Sequence, residues 1–364
     1  MHMLYILRNI NTCRKNGCRK RLSLNNSETL CLNLSSLVQS TLYLFTTCLL
    51  PALFSCSPLP ESRSAPSFAA KTATAVSGIR TLDIFTFNDD ELERLDSYQR
   101  IEEPDIEDIG IRSQNGYKHI VICANSHCGK EDWADVNSLQ SMEDRYADLT
   151  SEHRRSILMT GAIRACAGEG KEHTIRLRNL AAEIVLRSIR CDLSGKPYAG
   201  GQITDVSIYL TDVNARCRML AEGTVKPTHI LNPGGLCMED VMSMEEPDLI
   251  FTAMDVPVGS TACRPDIRLL CYPSSWPEES PGTPFTRLVI EGTLDGERFM
   301  WPIDINRGHG NKDHGIHRNC SYVYDVVITR KGVTDPEETI TTDMMDISME
   351  VKRWEEKEIY SIEF

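Results

Sequence analysis

An all-β chain of two tandem β-sandwich domains is the expectation for this polypeptide, and three features carry it. Apolar and polar residues alternate with period two in many short segments, the signature of half-buried strands. The segments run about 5 to 10 residues between Gly-, Pro- and Asp-rich loops, which suits sandwiches. Helical periodicity is scarce, and only 131–149, where Trp133, Val136, Leu139 and Met142 recur at helical spacing, reads as a helical excursion between strands. The 364 residues, 41% hydrophobic and 25% charged, give each half enough chain for its own core.

The first clear strand opens at Thr81, with Leu82, Ile84 and Thr86 on one face and Phe85 and Phe87 on the other. Asn88-Asp89-Asp90 is the turn that ends it. Strands are next expected over 119–124, 157–163, 174–178, 180–187 and 203–213. The later half repeats the style over 249–254, 266–272, 285–293, 297–304, 320–330, 344–354 and 358–364. In the strand over 344–354, Met345, Ile347, Met349 and Val351 alternate with polar residues, which predicts one buried face. The resulting division is an N-terminal sandwich over 80–215 and a C-terminal sandwich over 216–364.

Ahead of the folded part, residues 42–54 form an apolar run. It is shorter than the ~20 residues that span a bilayer and suits the apolar core of a signal peptide. The run ends in Leu53-Phe54-Ser55-Cys56. This resembles the lipobox of bacterial lipoproteins, with a branched apolar residue three places before the cysteine and a small one directly before it. Cys56 is therefore the expected lipidation site, although Phe54 is bulkier than usual there; a plain secretory cut nearby is the alternative. The basic cluster Arg14 to Arg21 stands well ahead of the apolar run, so residues 1–36 read as an over-long gene start within a leader of 1–55. Residues 56–79, rich in Pro, Ser and Ala, read as a lipidated tether.

The net charge is -13. Residues 1–55 carry six Arg and Lys against one acid, +5, so the remainder carries -18. That balance argues against nucleic acid or an anionic lipid surface as partner. Of fourteen cysteines, four (Cys13, Cys18, Cys31, Cys48) fall in the leader and Cys56 has its own role. The nine that remain read as mostly small buried side chains, with Cys123 and Cys128 as the one locally plausible bridge.

No catalytic motif accompanies this pattern: the sequence has no GxSxG elbow, phosphate loop, dinucleotide fingerprint or HExxH. His309, Asp313, His314 and His317 gather in a glycine-rich stretch that could converge on zinc, yet the same composition describes a solvated loop, and no metal or cofactor is expected. The acidic pairs Asp89-Asp90, Glu102-Glu103 and Glu245-Glu246 are inevitable with fifty-two acids. His153-Arg154-Arg155 reads as a solvated turn. Among four tryptophans, Trp301 and Trp354 fall in strand patterns, Trp133 in the helical excursion, and Trp276 in a loop where it could meet a ligand.

The run Arg318-Asn319-Cys320-Ser321-Tyr322-Val323-Tyr324, continuing to Gly332 and Asp335-Pro336, resembles the late strand of the fimbrillin superfamily, the subunits of Bacteroidales type V pili. There an Arg-Asn pair precedes a Tyr-rich strand. Leu158-Met159-Thr160-Gly161, then Ile175-Arg176-Leu177-Arg178 and Ala182-Glu183-Ile184, resemble an earlier strand and hairpin of the family, and 82–90 and 347–354 resemble its first and closing strands. The matches span about 80–355 in the family's order. The first departs from the family's pattern in reading Leu-Met-Thr-Gly, and the many cysteines are unusual.

The resemblance implies transthyretin-like sandwiches, lipoprotein export and assembly with other fimbrial subunits at the outer membrane, to which an N-terminal lipid would hold the chain. It implies no enzymatic activity. In stalk subunits of the family the lipidated segment is removed after a basic residue; Arg63, Lys71 and Arg80 are the candidates here, but no single basic site dominates, so an untrimmed anchor that keeps its lipid is the favoured reading and a trimmed stalk subunit the alternative. The stretch after Trp354 has Tyr360, Ile362 and Phe364 on one face and reads either as a strand donated to another subunit or as a hairpin on its own sheet. A base, anchor or stalk subunit is the leading expectation; the alternative is a tip or stand-alone adhesin using a loop such as that around Trp276.

Overall fold

The computed structural model describes residues 67–68, 78–105, 109–168, 173–307, 314–338, 345–354 and 360–363. Cys56, Arg63, Lys71 and Phe364 lie outside the described residues. The architecture is all-β, as expected.

Strand β1 (Thr81–Asn88) has six successive buried positions, apolar on both faces. Full burial of one such side chain stabilises by ~1.5–3 kcal/mol, so this strand belongs inside a sheet. It lies between β2 (Leu95–Glu102) and β3 (Gly116–Ala124), antiparallel to both. β3 continues to β4 (Met159–Ala167), and β4 to β5 (Thr174–Asn179). On one face Leu82 and Ile84 pack with Ile120, Ile122, Ile175 and Leu177; on the other Phe85 and Phe87 pack with Val121, Trp133 and Met142. Asp83 is fully buried in this strand. It is satisfied by Tyr98 Oη at 2.8 Å and Arg100 Nη1 at 3.1 Å, as a buried carboxylate requires.

The helical excursion is shorter than expected. A 3-10 turn over Lys130–Trp133 and a five-residue helix α1 (Leu139–Glu143) are followed by a strand at Tyr146–Asp148. Five residues cannot sustain a helix alone. Ser138 caps it by accepting from Ser141 N, and Trp133, Val136 and Met142 bury as their spacing implied.

Apart from short strands in two-stranded pairs, such as Arg216–Arg218 with Tyr146–Asp148, the further strands are β6 (Ala182–Cys191), β7 (Thr204–Thr211), β8 (Phe251–Ala253), β9 (Ile267–Cys271), β10 (Arg287–Leu294), β11 (Glu297–Asp304), β12 (Cys320–Ile328), β13 (Met345–Arg353) and β14 (Tyr360–Glu363). They form two four-stranded sheets, in the orders β9-β6-β12-β13 and β8-β7-β10-β11. One core joins Ile184, Leu186, Tyr322 and Tyr324 of the first to Ile208, Leu210, Ile290 and Trp301 of the second. β10 and β11 close tightly at Asp295-Gly296, where φ of 56° and 78° are what a two-residue primed turn demands. β14 joins the earlier strands instead, giving a six-stranded sheet ordered β14-β5-β4-β3-β1-β2.

Two sequence expectations change. β6 and β7 precede residue 215, yet they pair with β9, β12, β8 and β10, so the expected boundary at 215/216 cuts across their sheets. β13 also lacks its expected buried face: Met345 is buried, but Ile347 and Val351 are exposed by 44% and 47%. It is the last strand of its sheet, and alternation reports which residues share a face without supplying a layer to cover it. The bridge between Cys123 and Cys128 does not form: both thiols are free.

β6 and β12 run parallel, and Asp325 helps stitch them. Arg187 Nε donates to it at 3.1 Å, and Ser188 Oγ also bonds it. The Arg187 guanidinium holds the Asp325 carboxyl below the usual carboxylate range. A carboxyl whose folded value lies below its unfolded one stabilises the fold above the unfolded value, and the contribution is lost as pH falls through the folded value. Asp325→Asn should therefore flatten the acid limb of the stability profile below about pH 4. Urea unfolding across that range measures it, and an unaltered acid limb refutes the assignment.

Candidate functional site

The Arg318-Asn319 pair sits at the entry to β12 and reaches into the six-stranded sheet. The Arg318 side chain is only 8% exposed. Its Nη2 donates to Thr160 Oγ1 at 2.8 Å and to Arg178 O at 2.9 Å; Nη1 donates to Ala221 O at 3.2 Å and Nε to Asn179 O at 3.3 Å. Thr160 in turn donates to Met219 O at 2.7 Å. Burial pulls the guanidinium down to about 10, with Glu222 opposing that shift, so it remains charged at neutral pH. Asn319 completes the clamp. Its Oδ1 accepts from Asn179 N, its N–H donates to Ala181 O, and its carbonyl accepts from Trp354 N. Its φ is 58°, a left-handed conformation that Asn tolerates better than most residues.

Beside this clamp lies the edge of β5. Tyr360, Ser361, Ile362 and Glu363 pair antiparallel with Leu177, Arg176, Ile175 and Thr174. The tail leaves the sheet of β13 and crosses to another sheet, so it is not the hairpin that was the simpler sequence reading. At the other end of the folded part, Arg80 is exposed, but its backbone is held: its N–H donates to Asn125 Oδ1 at 2.8 Å and its carbonyl accepts from Glu103 N at 2.7 Å. A protease acting after Arg80 would have to open these bonds.

The other sequence candidates do not converge. His314 is exposed and His317 half-buried, while His309 and Asp313 lie outside the described residues; among the described residues no cluster could hold a metal. Glu245 and Glu246 are engaged by His153 at 2.9 and 3.2 Å, and Arg154 by Asp248 and the Arg268 carbonyl. Glu102 and Glu103 are exposed. Trp301 is buried with Nε1 donating to Arg330 O, Trp354 is half-buried against the core, and Trp276 stands 38% exposed with Lys226 Nζ 5.7 Å from its ring centre.

Sequence reasoning missed a furrow along the clamp. Three hollows of about 800, 320 and 380 Å³ share lining residues, among them Arg178, Glu222 and Val225. The largest is lined by five arginines against two glutamates. The available signal was that Arg176 and Arg178 share a strand face, but Arg318 and Arg353 join them only through the fold.

No protein-family model and no curated protein matches this sequence. Solved structures do share its fold. A provisionally named cell adhesion protein from Parabacteroides distasonis is 17% identical, covers 80% of this chain and 97% of its own, and superposes with a TM-score of 0.58. Another from Bacteroides eggerthii is 18% identical, with coverage of 78% and 92% and a TM-score of 0.58. A fimbrilin from Porphyromonas gingivalis is 16% identical, with coverage of 79% and 96% and a TM-score of 0.54. The fold is therefore the one that fimbrillin-type proteins use.

Replacing Arg318 by Met would leave three carbonyls and Thr160 without their donor. A cost of about 3 kcal/mol is expected, read as a fall in the denaturant midpoint. Arg318→Lys should recover less than half of it, since a single ammonium cannot reproduce the fork. A loss below about 0.5 kcal/mol for the Met variant would show that the clamp is not structural.

Proposed function

We propose that this chain is a structural subunit of outer-membrane fimbriae, exported as a lipoprotein anchored through Cys56 and assembling with other fimbrial subunits by strand addition. The observation that carries this reading is the position of β14. A tail strand that leaves its own sheet to occupy a distant edge is a segment that a neighbouring copy could exchange, because the edge of β5 offers the same row of backbone groups to either tail. The shared fold supports it, since the structures that have it are named for fimbriae and cell adhesion. On the same ground the chain is read as non-catalytic.

Within this reading the chain is an anchor or base subunit more readily than a trimmed stalk subunit. Both peptide groups of Arg80 are tied into the sheet, which disfavours cleavage there; Lys71 and Arg63 remain the alternative processing sites. The tether over 56–79 would hold two sandwich units off the membrane. We place their division near 179–182, between β5 and β6, where sheet partnership changes. A tip or stand-alone adhesin is the second reading, favoured by the exposed Trp276.

Deleting residues 358–364 tests strand addition. The shortened chain should fold, remain monomeric and fail to enter fibres, as seen by size-exclusion chromatography and electron microscopy. Loss of folding would assign the strand to the chain's own core. Separately, Cys56→Ser should move the protein from the detergent-extracted membrane fraction to the aqueous one, because a multi-chain lipid anchor holds firmly; unchanged partitioning would remove the anchor from the proposal.

A further inference from the structure

The arginine furrow lies on the sheet face that carries Thr160, Arg176 and Arg178, and it stands out in a chain with a net charge of -13. Its charges are not all spent on the fold. Arg318 is consumed by backbone carbonyls, Arg178 pairs with Glu222, and Arg164 pairs with Asp89. Arg176 and Arg353 are exposed, and among the described residues neither guanidinium has an ion-pair or hydrogen-bond partner. Two unpaired guanidinium groups lining one hollow of about 800 Å³ form a site for oxyanions, since the fork matches carboxylate and sulfate geometry.

The surroundings narrow the ligand. The free edge of β5 is taken by β14 and its other side meets β4 at Arg178 and Asn179, so strand addition by an extended peptide has little edge left to use there. Val225, which lines two of the hollows, accepts a hydrogen bond from Ser275 N. The adjacent Trp276 is an exposed aromatic face, and Lys226, which lines the same hollow as Val225, lies 5.7 Å from its ring centre. In one of the smaller hollows the guanidinium groups of Arg216 and Arg218 stand 5.0 and 5.9 Å from the Tyr146 ring centre. Aromatic faces alternating with cations suit sugar rings that bear acid groups. Nucleic acid carries its charges more densely, and the chain's overall negative charge opposes it more strongly.

We propose that this furrow binds a short acidic oligosaccharide, sulfated or carboxylated, through Arg176 and Arg353, with Trp276 stacking a sugar ring at the rim. The activity is independent of how the chain assembles.

Fluorescence anisotropy of the purified full chain tests it with four labelled probes: a chondroitin sulfate hexasaccharide, a hyaluronan hexasaccharide, neutral chitohexaose and hexaglutamate. Binding is expected for one or both acidic sugars and not for chitohexaose or hexaglutamate. The double variant Arg176→Ser/Arg353→Ser should weaken it about ten-fold or more, as removal of two charge-assisted contacts implies, with an unchanged melting temperature. Lys130→Ser, outside the furrow, should leave it intact, and Trp276→Ala should weaken whichever acidic sugar binds. Failure of both acidic sugars to bind, equal binding of chitohexaose or hexaglutamate, or full affinity in the double variant would overturn the proposal.

Discussion

The junction of this protein depends on one buried guanidinium. Arg318 has few ways to be satisfied away from water, and the fold supplies them as backbone carbonyls at 178, 179 and 221 and the hydroxyl of Thr160. The acceptors sit on three different stretches of chain, so the side chain measures whether β4, β5 and the loop after the strand at Arg216–Arg218 have all arrived. An uncompensated buried charge is expensive. Those stretches are therefore held in one relative arrangement, and Asn319 fixes the direction in which β12 departs. A second buried group acts in the same sense: Glu152, fully buried, accepts from Tyr272 Oη at 2.8 Å and Leu158 N at 3.2 Å.

With the junction fixed, the edges of the sheets decide what remains available. β5 is held on one side by β4 and on the other by β14, whereas β13 ends its sheet with Ile347 and Val351 exposed. Edge strands invite pairing unless charge discourages it. β13 carries Asp346, Glu350, Lys352 and Arg353 among its exposed residues, while β5 offers Arg176 and Arg178 to the furrow face and Ile175 and Leu177 to the core. One strand thus seals a core and lines a polar hollow, a consequence of period-two geometry.

Much of this was legible in the sequence wherever burial differs between the faces of a strand. β1, β3, β5 and β7 announced themselves because Leu82, Val121, Ile175 and Ile208 stand at regular alternate spacing among their neighbours. β2 did not, since Leu-Asp-Ser-Tyr-Gln-Arg-Ile-Glu is half-buried along nearly its whole length and its two faces are chemically alike. The expected helix over 131–149 failed because helical spacing was satisfied by separate turns that each bury one or two residues. At the site, Arg318-Asn319 was noticed by resemblance, but its acceptors lie 97 to 158 residues away and no local pattern names a backbone carbonyl as a partner. The furrow was hidden for the same reason, and the acidic total masked it.

The same long separations order the assembly of the fold. Pairs such as Leu288 with Ile303 close over a two-residue turn, so the β10-β11 hairpin can form early, whereas β3 meets β4 only after the intervening 125–158. The parallel pairing of β6 with β12 spans nearly 140 residues, and the Arg318 acceptors must be in place before that charge can leave water. Loop-closure entropy makes such contacts late ones. β14 reaches back further still, from Tyr360 to Leu177, and its pairing adds four residues to an edge that is otherwise complete. The edge of β5 is therefore the last position that the chain's own residues fill. Until they do, it presents a formed row of backbone donors and acceptors to any tail that arrives first.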